Sequence, residues 1–277
     1  MNLLIDNIIK EALKEDIRTG DITTNILIDE KKLAKAFIRC KEEIVLAGIN
    51  VASRVFNLID DTIIFKALAK DGDLLQPYST IAEIKGKAKN LLTAERTALN
   101  FLQHLSGIAT QTYKLSCIAQ KYSVKITDTR KTIPNLRYLQ KYAVSIGGGK
   151  NHRFALDDGI LIKNNHLKFF KSISEAIKKA QLSKPYLIEI EIEVSSIEEL
   201  IEALKYNPDV IMLDNFSYKD LKKAISIAKG KCKIEVSGGI TKENFEKIAS
   251  LKPDFISIGS LTHSVKAVDI HMEIEPI

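Results

Sequence analysis

The chain has 277 residues, 45% hydrophobic and 27% charged, with 13 Gly, 6 Pro, no Trp and a net charge of +6. That is enough apolar chain for a large core, and it excludes collagen-like, disordered and disulfide-scaffold classes. Cys40, Cys117 and Cys232 are far apart and form no C-x-x-C pair, which argues against a disulfide framework or zinc site and for a reducing compartment.

The opening segment MNLLIDNIIKEALKED carries Asp6 and Glu11 within an amphipathic pattern, unlike the basic start and unbroken apolar stretch of a secretory signal. It reads as the first helix of a cytoplasmic protein, and no apolar run approaches the roughly 18 residues of a membrane span. Lys35 to Leu46 reads as a strand or hairpin, and Asp71-Gly72 as a turn. The segment Leu91 to Ile108, LLTAERTALNFLQHLSGI, has the helical spacing of a long buried helix, with a Gly near its end. No flexible linker, low-complexity tract or internal repeat interrupts the chain, so a boundary near residue 106 must be tight.

From about residue 115 short β-rich runs alternate with amphipathic helices. Strands are expected at Val124 to Thr127, Gly159 to Lys163, Tyr186 to Val194, Val210 to Leu213, Lys233 to Val236 and Phe255 to Ile258, with a seventh around Ala143 to Ile146. Ser196 with Glu199 forms a capping box, and Ser217 and Thr241 head the next two helices. Strand, helix, strand in short succession implies parallel pairing, and a β/α barrel fits better than a sandwich. In LIEIEIEV, Leu187 to Val194, the isoleucines take one face and Glu189, Glu191 and Glu193 the other. In a helix-covered barrel the apolar face packs outward, so the glutamates point into the lumen and need cationic or metal partners. Glu189 and Glu191 are expected to pair with cations structurally, which leaves Glu193 for chemistry.

Between Thr129 and Leu156 there is no acidic residue, while Arg130, Lys131, Arg137, Lys141, Lys150 and Arg153 supply six positive charges, equal to the whole net charge. With His152 and the run Gly147 to Gly149, the window favours a pocket for a polyanion. A solvated basic loop is the plain alternative, and nucleic acid is disfavoured by the lack of aromatic interleaving. Barrel enzymes hold their chemistry at the C-terminal strand ends. Those ends read Asp128-Thr129-Arg130-Lys131, Lys163-Asn164-Asn165-His166, Glu193, Asp214-Asn215, Ser237-Gly238-Gly239 and Gly259-Ser260. The last two precede helices and suit a phosphate. Glu193 and Asp214 on neighbouring strands suit Mg²⁺ or ribose hydroxyls. A phosphorylated sugar carrying a pyrophosphate, meeting an acidic aromatic, satisfies both regions. Lys163 at a strand end also admits a Schiff-base aldolase.

The stretch DTRKTIPNLRYLQKYAVSIGGGKNHRFALDDGILIKNNH, Asp128 to His166, resembles the hallmark segment of the quinolinate phosphoribosyltransferases, the carboxylating nicotinate-nucleotide pyrophosphorylases. EDIRTGDITT, TAERTALNFLQHLSGIAT, EIEV, MLDN, EVSGGI and ISIGSLTHS follow the same family in order, so the likeness covers essentially the whole chain. The resemblance implies an N-terminal α/β sandwich domain over residues 1–106, completed by the tail 267–277, and an open seven-stranded α/β barrel over residues 107–266. It implies a pentosyltransferase of NAD biosynthesis that joins quinolinate to phosphoribosyl pyrophosphate and releases nicotinate mononucleotide, pyrophosphate and CO₂. Mg²⁺ is the implied cofactor, with no organic cofactor, nucleic acid or membrane partner. A homodimer is implied as well, with Arg96 reaching in from the partner subunit; without the resemblance, pairing with an Asp or Glu of its own subunit is the lesser alternative.

By the same resemblance Thr129, Arg130, Lys131, His152 and Arg153 line the quinolinate pocket, and Lys163 lies between the substrates. Glu193 and Asp214 serve ribose and metal, and Ser237, Gly238, Gly239, Gly259 and Ser260 take the 5′-phosphate. Lys131, Lys163, Glu193 and Asp214 are the implied catalytic groups. The chain departs from the pattern at Ile133, Asn135 and Asn164, the last changing the charge beside Lys163. A paralogous branch linked to molybdenum transport shares much of the pattern. His104 and His263 are read as packing or hydrogen-bonding residues.

Overall fold

The computed structural model describes residues 3–277. The expected first helix is seen from Leu3, its first two residues lying outside the described ones. In chain order the elements are α1 (Leu3–Ile17), α2 (Ile22–Leu27), β1 (Leu33–Cys40), β2 (Ile44–Val45), α3 (Ile49–Ile59), β3 (Ile64–Ala67), β4 (Leu74–Leu75) and β5 (Thr80–Lys87). Then come α4 (Ala88–Gln120), β6 (Lys125–Thr127), α5 (Arg137–Ile146), β7 (Ile160–Ile162), α6 (Asn164–Leu167), α7 (Ile173–Ser183) and β8 (Ile190–Val194). The chain continues with α8 (Ile197–Leu204), β9 (Val210–Asp214), α9 (Tyr218–Ala228), β10 (Lys233–Ser237), α10 (Lys242–Ala249), β11 (Phe255–Ser257), α11 (Ser260–His263) and β12 (Ile270–Pro276).

These elements form two compact units, one of Met1–Tyr113, Thr132–Gly148 and Thr262–Ile277, the other of Lys114–Lys131 and Gly149–Leu261. Among the described residues no helix is long and apolar enough to cross a membrane.

The first unit holds an antiparallel sheet in the order β12-β1-β5-β3. Strand β1 alternates as a half-buried strand must, with Ala34, Ala36, Ile38 and Cys40 inside. Its residues face β5 at Ala36↔Ile84 and β12 at Phe37↔Glu273. The segment read as a strand or hairpin is a strand followed by a separate short one, because β2 pairs with β4. The Asp71-Gly72 turn is present, with Gly72 at φ +95°.

Helix α4 runs well past the expected stop at Ile108. Gly107 looked like a terminator, but it is a packing glycine. A Cβ there would run into the Lys266 carbonyl oxygen and come within 3.3 Å of the Ala267 Cα. Helix α5 replaces the expected seventh strand around Ala143 to Ile146. Four residues were too short a run to separate the two periods. In the structure Leu139 and Ala143, four apart, are both buried, as on one helix face.

The second unit is a six-stranded parallel sheet, β6-β11-β10-β9-β8-β7. Chain neighbours from β7 to β11 lie side by side, and β11 returns to β6, so the sheet curls with its free edges at β6 and β7. The count is therefore six rather than seven. At the β6 edge the extra strand shrinks to one parallel bridge, Thr127↔Lys150, where Lys150 donates its N–H to the Ile126 carbonyl at 2.7 Å. Ser196, Ser217 and Thr241 cap their helices, accepting from the N–H groups of Glu199, Asp220 and Asn244, but the box expected at Ser196 does not close, because the Glu199 carboxylate accepts from the Ser195 N–H at 2.7 Å instead.

The barrel side chains alternate as expected. Ile190, Ile192 and Val194 of β8 are fully or almost fully buried, whereas Glu191 and Glu193 line lumen cavities. Met212 and Asp214 of β9, Glu235 and Ser237 of β10, and Ser257 of β11 line the upper cavity with Glu193. Burying the opposite row of each strand against the helices contributes about 1.5–3 kcal/mol per Val or Ile side chain, which fixes the register and hence the inward set.

Candidate active site

At the C-terminal strand ends of the second unit lies a cavity of about 620 Å³, within the usual size of a small-molecule site. Of the expected residues, Thr129, Arg130, Lys131, His152, Arg153, Lys163, Glu193, Asp214, Ser237, Gly238 and Gly239 line it. Gly259 and Ser260 do not; Ser260 instead begins the four-residue α11. Arg96 is an exposed residue of α4 in the first unit.

The basic window is not one wall. Thr132–Gly148 belongs to the first unit, where Arg137 Nε donates to the Thr132 hydroxyl at 3.0 Å and Lys141 is wholly buried. Counting charge along the chain could not reveal that α5, with Arg137 and Lys141, belongs to the first unit. Arg130, Lys131 and Arg153 remain in the cavity wall.

Arg153 donates through Nη1 to the Gly159 carbonyl at 3.2 Å. Burial, and then the charge of Arg130, push its pKa down. The Nε atoms of Arg130 and Arg153 are both buried without a hydrogen-bond partner. Two like guanidinium charges that repel each other and keep unspent buried donors are built for an anion with forked oxygens.

The same cavity holds an acidic pair, Glu193 and Asp214. Burial raises the Glu193 pKa first, then the Asp214 charge on the adjacent strand, while Lys163 and Lys131 oppose the rise. A carbon-detected NMR titration of the free protein should place the Glu193 carboxyl midpoint above the ordinary glutamate value of about 4.3. In Asp214→Asn the midpoint should move down, since one raising charge is gone. An unshifted midpoint in both proteins would refute the coupling.

The third region is a turn of left-handed backbone. Asn215, Gly238 and Gly239 have φ of +57°, +84° and +61°. The Asn215 N–H donates to the Ser237 carbonyl at 3.1 Å, and its side-chain amide to Asp214 Oδ2 at 2.7 Å. Asn244, in the capping box of α10, donates to the Gly239 carbonyl at 2.8 Å. The Ser237–Gly239 loop is thus tied on both sides and leaves backbone N–H groups near a helix start for a phosphate.

Sequence reading missed several lining residues. Glu235 sits two before Ser237 on β10, so strand alternation puts both in the lumen, and that signal was available. Asn215 appeared at a strand end but received no role, because nothing in the sequence announces its positive φ. Glu189 pairs with a cation as expected, Lys233 at 2.8 Å, whereas Glu191 Oε2 lies 2.7 Å from His152 Nε2. His104 lies 2.9 Å from the Gln140 side-chain amide and His263 lies 2.7 Å from Ser264, both hydrogen-bonding residues.

Compared with known proteins, residues 21–106 match the description "Quinolinate phosphoribosyl transferase, N-terminal domain" and residues 108–273 its C-terminal counterpart. The chain is 44% identical over 276 residues to the probable carboxylating nicotinate-nucleotide pyrophosphorylase of Methanocaldococcus jannaschii, covering 96% of each chain. It is 41% identical to the protein of the same description from Bacillus subtilis, covering 99% of this chain and 94% of that one. The crystal structure of NadC from Streptococcus pyogenes superposes with a TM-score of 0.94 at 42% identity, over 99% of this chain and 97% of that one.

Proposed function

Because the chain belongs to the quinolinate phosphoribosyltransferase family, we propose that its barrel cavity is where it acts as a carboxylating nicotinate-nucleotide pyrophosphorylase. It transfers phosphoribosyl from phosphoribosyl pyrophosphate to quinolinate, giving nicotinate mononucleotide, pyrophosphate and CO₂ for NAD biosynthesis. The observation that carries the assignment to this cavity is the half-buried Arg130 and Arg153 pair, each with a buried, unspent Nε donor, lining the same cavity as Glu193 and Asp214.

Each element of the cavity then has a task. Arg130, Arg153 and Lys131 clamp the two ring carboxylates and place the ring nitrogen against the anomeric carbon. The Ser237–Gly239 turn seats the 5′-phosphate. As the bond from the anomeric carbon to pyrophosphate breaks, positive charge develops on the sugar, where the Glu193 and Asp214 carboxylates stabilise it. Lys163, which also lines the cavity, lies between the two substrates in this reading. Once glycosylated, the ring nitrogen is cationic. It accepts the electron pair left on the ring carbon as the adjacent carboxylate departs as CO₂, and a proton from solvent restores the C–H bond.

Glu193 and Asp214 also fit Mg²⁺, since they are hard oxygen donors on adjacent strands, and burial and then the Asp214 charge raise the Glu193 pKa, as a site that gains from a cation would show. When bound there, the ion would neutralise pyrophosphate. The proposal includes a cytoplasmic homodimer in which Arg96 of one subunit completes the partner's pocket, supported by the exposure of Arg96 on α4.

The deciding assay measures pyrophosphate and CO₂ release with quinolinate and, separately, with nicotinate. Turnover of quinolinate with nicotinate a poor substitute is expected, because one carboxylate leaves part of the clamp unpaired. Equal use of both acids, or turnover of neither, would rule the reading out.

A further inference from the structure

Beneath the upper cavity a second space of about 500 Å³ reaches the lumen from the N-terminal strand ends, and it shares His152, Arg153 and Glu235 with the first. Between them His152 Nε2 lies 2.7 Å from Glu191 Oε2 and 4.0 Å from Glu235 Oε1. Both carboxylates are almost wholly buried, at 8% and 3% exposure. The resemblance put His152 in the acid-binding wall and gave Glu191 and Glu235 no role in the reaction.

The other ring nitrogen decides what this cluster is. His152 Nδ1 accepts the N–H of Arg153 at 2.8 Å. A nitrogen that accepts carries no proton, so the neutral ring bears its proton on Nε2 and donates it to Glu191. Both nitrogens are then occupied, and neither is left for a substrate oxygen. The ring is a strut between β8 and the backbone of the arginine that lines the cavity.

We propose that Glu191 is a positioning residue for quinolinate binding, acting through the His152 ring to fix where the Arg153 guanidinium stands. The inference rests on the phosphoribosyl-transfer reading of the cavity. One strand then serves both substrates: Glu191 orients the acid-binding wall, and Glu193, two residues on, faces the sugar. Three side chains of this composition could also be taken for a metal site, since their donor atoms lie within 4.8 Å of one another. A metal would need the Nε2 lone pair, which the Nε2–H form lacks. Burial, and then the Glu191 charge, push the Glu235 pKa up to about 7, consistent with a cluster that keeps a proton.

The test combines kinetics with two-bond ¹H–¹⁵N spectra of the imidazole rings. In the parent, the His152 ring should give a pyridine-like Nδ1 and a pyrrole-like Nε2. Glu191→Ala should raise the KM for quinolinate about tenfold, with kcat and the KM for phosphoribosyl pyrophosphate changed less than about threefold. Glu191→Gln, whose amide oxygen still accepts from Nε2–H, should restore most of the loss. Should alanine unfold the barrel, Glu191→Asp, with its carboxylate drawn back by one methylene, should give the same split.

Three results would overturn the proposal: an Ala variant with quinolinate KM within about twofold of the parent, equal rises in both KM values, or loss of the Nε2–H signature when Zn²⁺ alone is added. A parent that turns over no quinolinate would instead defeat the reading of the cavity, and the ring spectra would still report whether the strut exists.

Discussion

Arg130→Ala and Arg153→Ala should each lower kcat/KM for quinolinate by about thirtyfold or more, equivalent to at least about 2 kcal/mol of lost transition-state binding. Each removes a guanidinium with a buried, unspent Nε from a cavity that holds no carboxylate paired to it among the described residues. The loss should fall on the acid and not on the sugar donor. Arg153→Lys should recover only part of it, because a lysine keeps the charge and loses the planar fork that matches a carboxylate. The check is steady-state kinetics with each substrate varied in turn. Alanine variants within about twofold of the parent would mean that the clamp is misassigned.

Gly238→Ala should nearly abolish turnover at ordinary concentrations of phosphoribosyl pyrophosphate while leaving the barrel folded. Gly238 has φ +84°, and a methyl group there would strike the Asn215 side-chain oxygen and lie 2.8 Å from the Asn215 backbone nitrogen. The left-handed conformation alone costs an alanine roughly 1 kcal/mol. The contact with backbone cannot be relieved by a rotamer change, so the Ser237–Gly239 turn must shift. Moving that turn displaces the phosphate seat and breaks the Asn215 contact with Asp214. A large rise in the KM for the donor, with a melting temperature lowered only slightly, is the expected pattern. Unchanged donor kinetics would show that the phosphate sits elsewhere.

Much of this site is legible in the sequence. The alternation in LIEIEIEV fixed which β8 residues face the lumen, because a one-residue slip would have buried three glutamates among the helices. Polar strand ends located the cavity for the same periodic reason. What could not be read was long-range. The window Thr129 to Leu156 is continuous in charge, yet its middle is a helix of the first unit, and only tertiary packing assigns Lys141 to a wholly buried place there. The His152 tautomer was likewise hidden, since it depends on an N–H one residue away and a carboxylate 39 residues away meeting the two sides of one ring. Gly107 misled in the opposite direction. As a local signal a glycine ends helices, but this one makes room for backbone from residue 266.

The pairing of β1 with β12 sets a timetable for synthesis. Residues 34–40 form one side of a ladder whose other side is Ile270–Pro276, and the Lys266 carbonyl crosses α4 at Gly107. While the ribosome is still translating the parallel strands, β1 therefore waits with one edge unsatisfied, exposed to wrong partners. The barrel strands meet mostly their near neighbours in the chain and can assemble in the interim, so the unit that begins first is the one that finishes last.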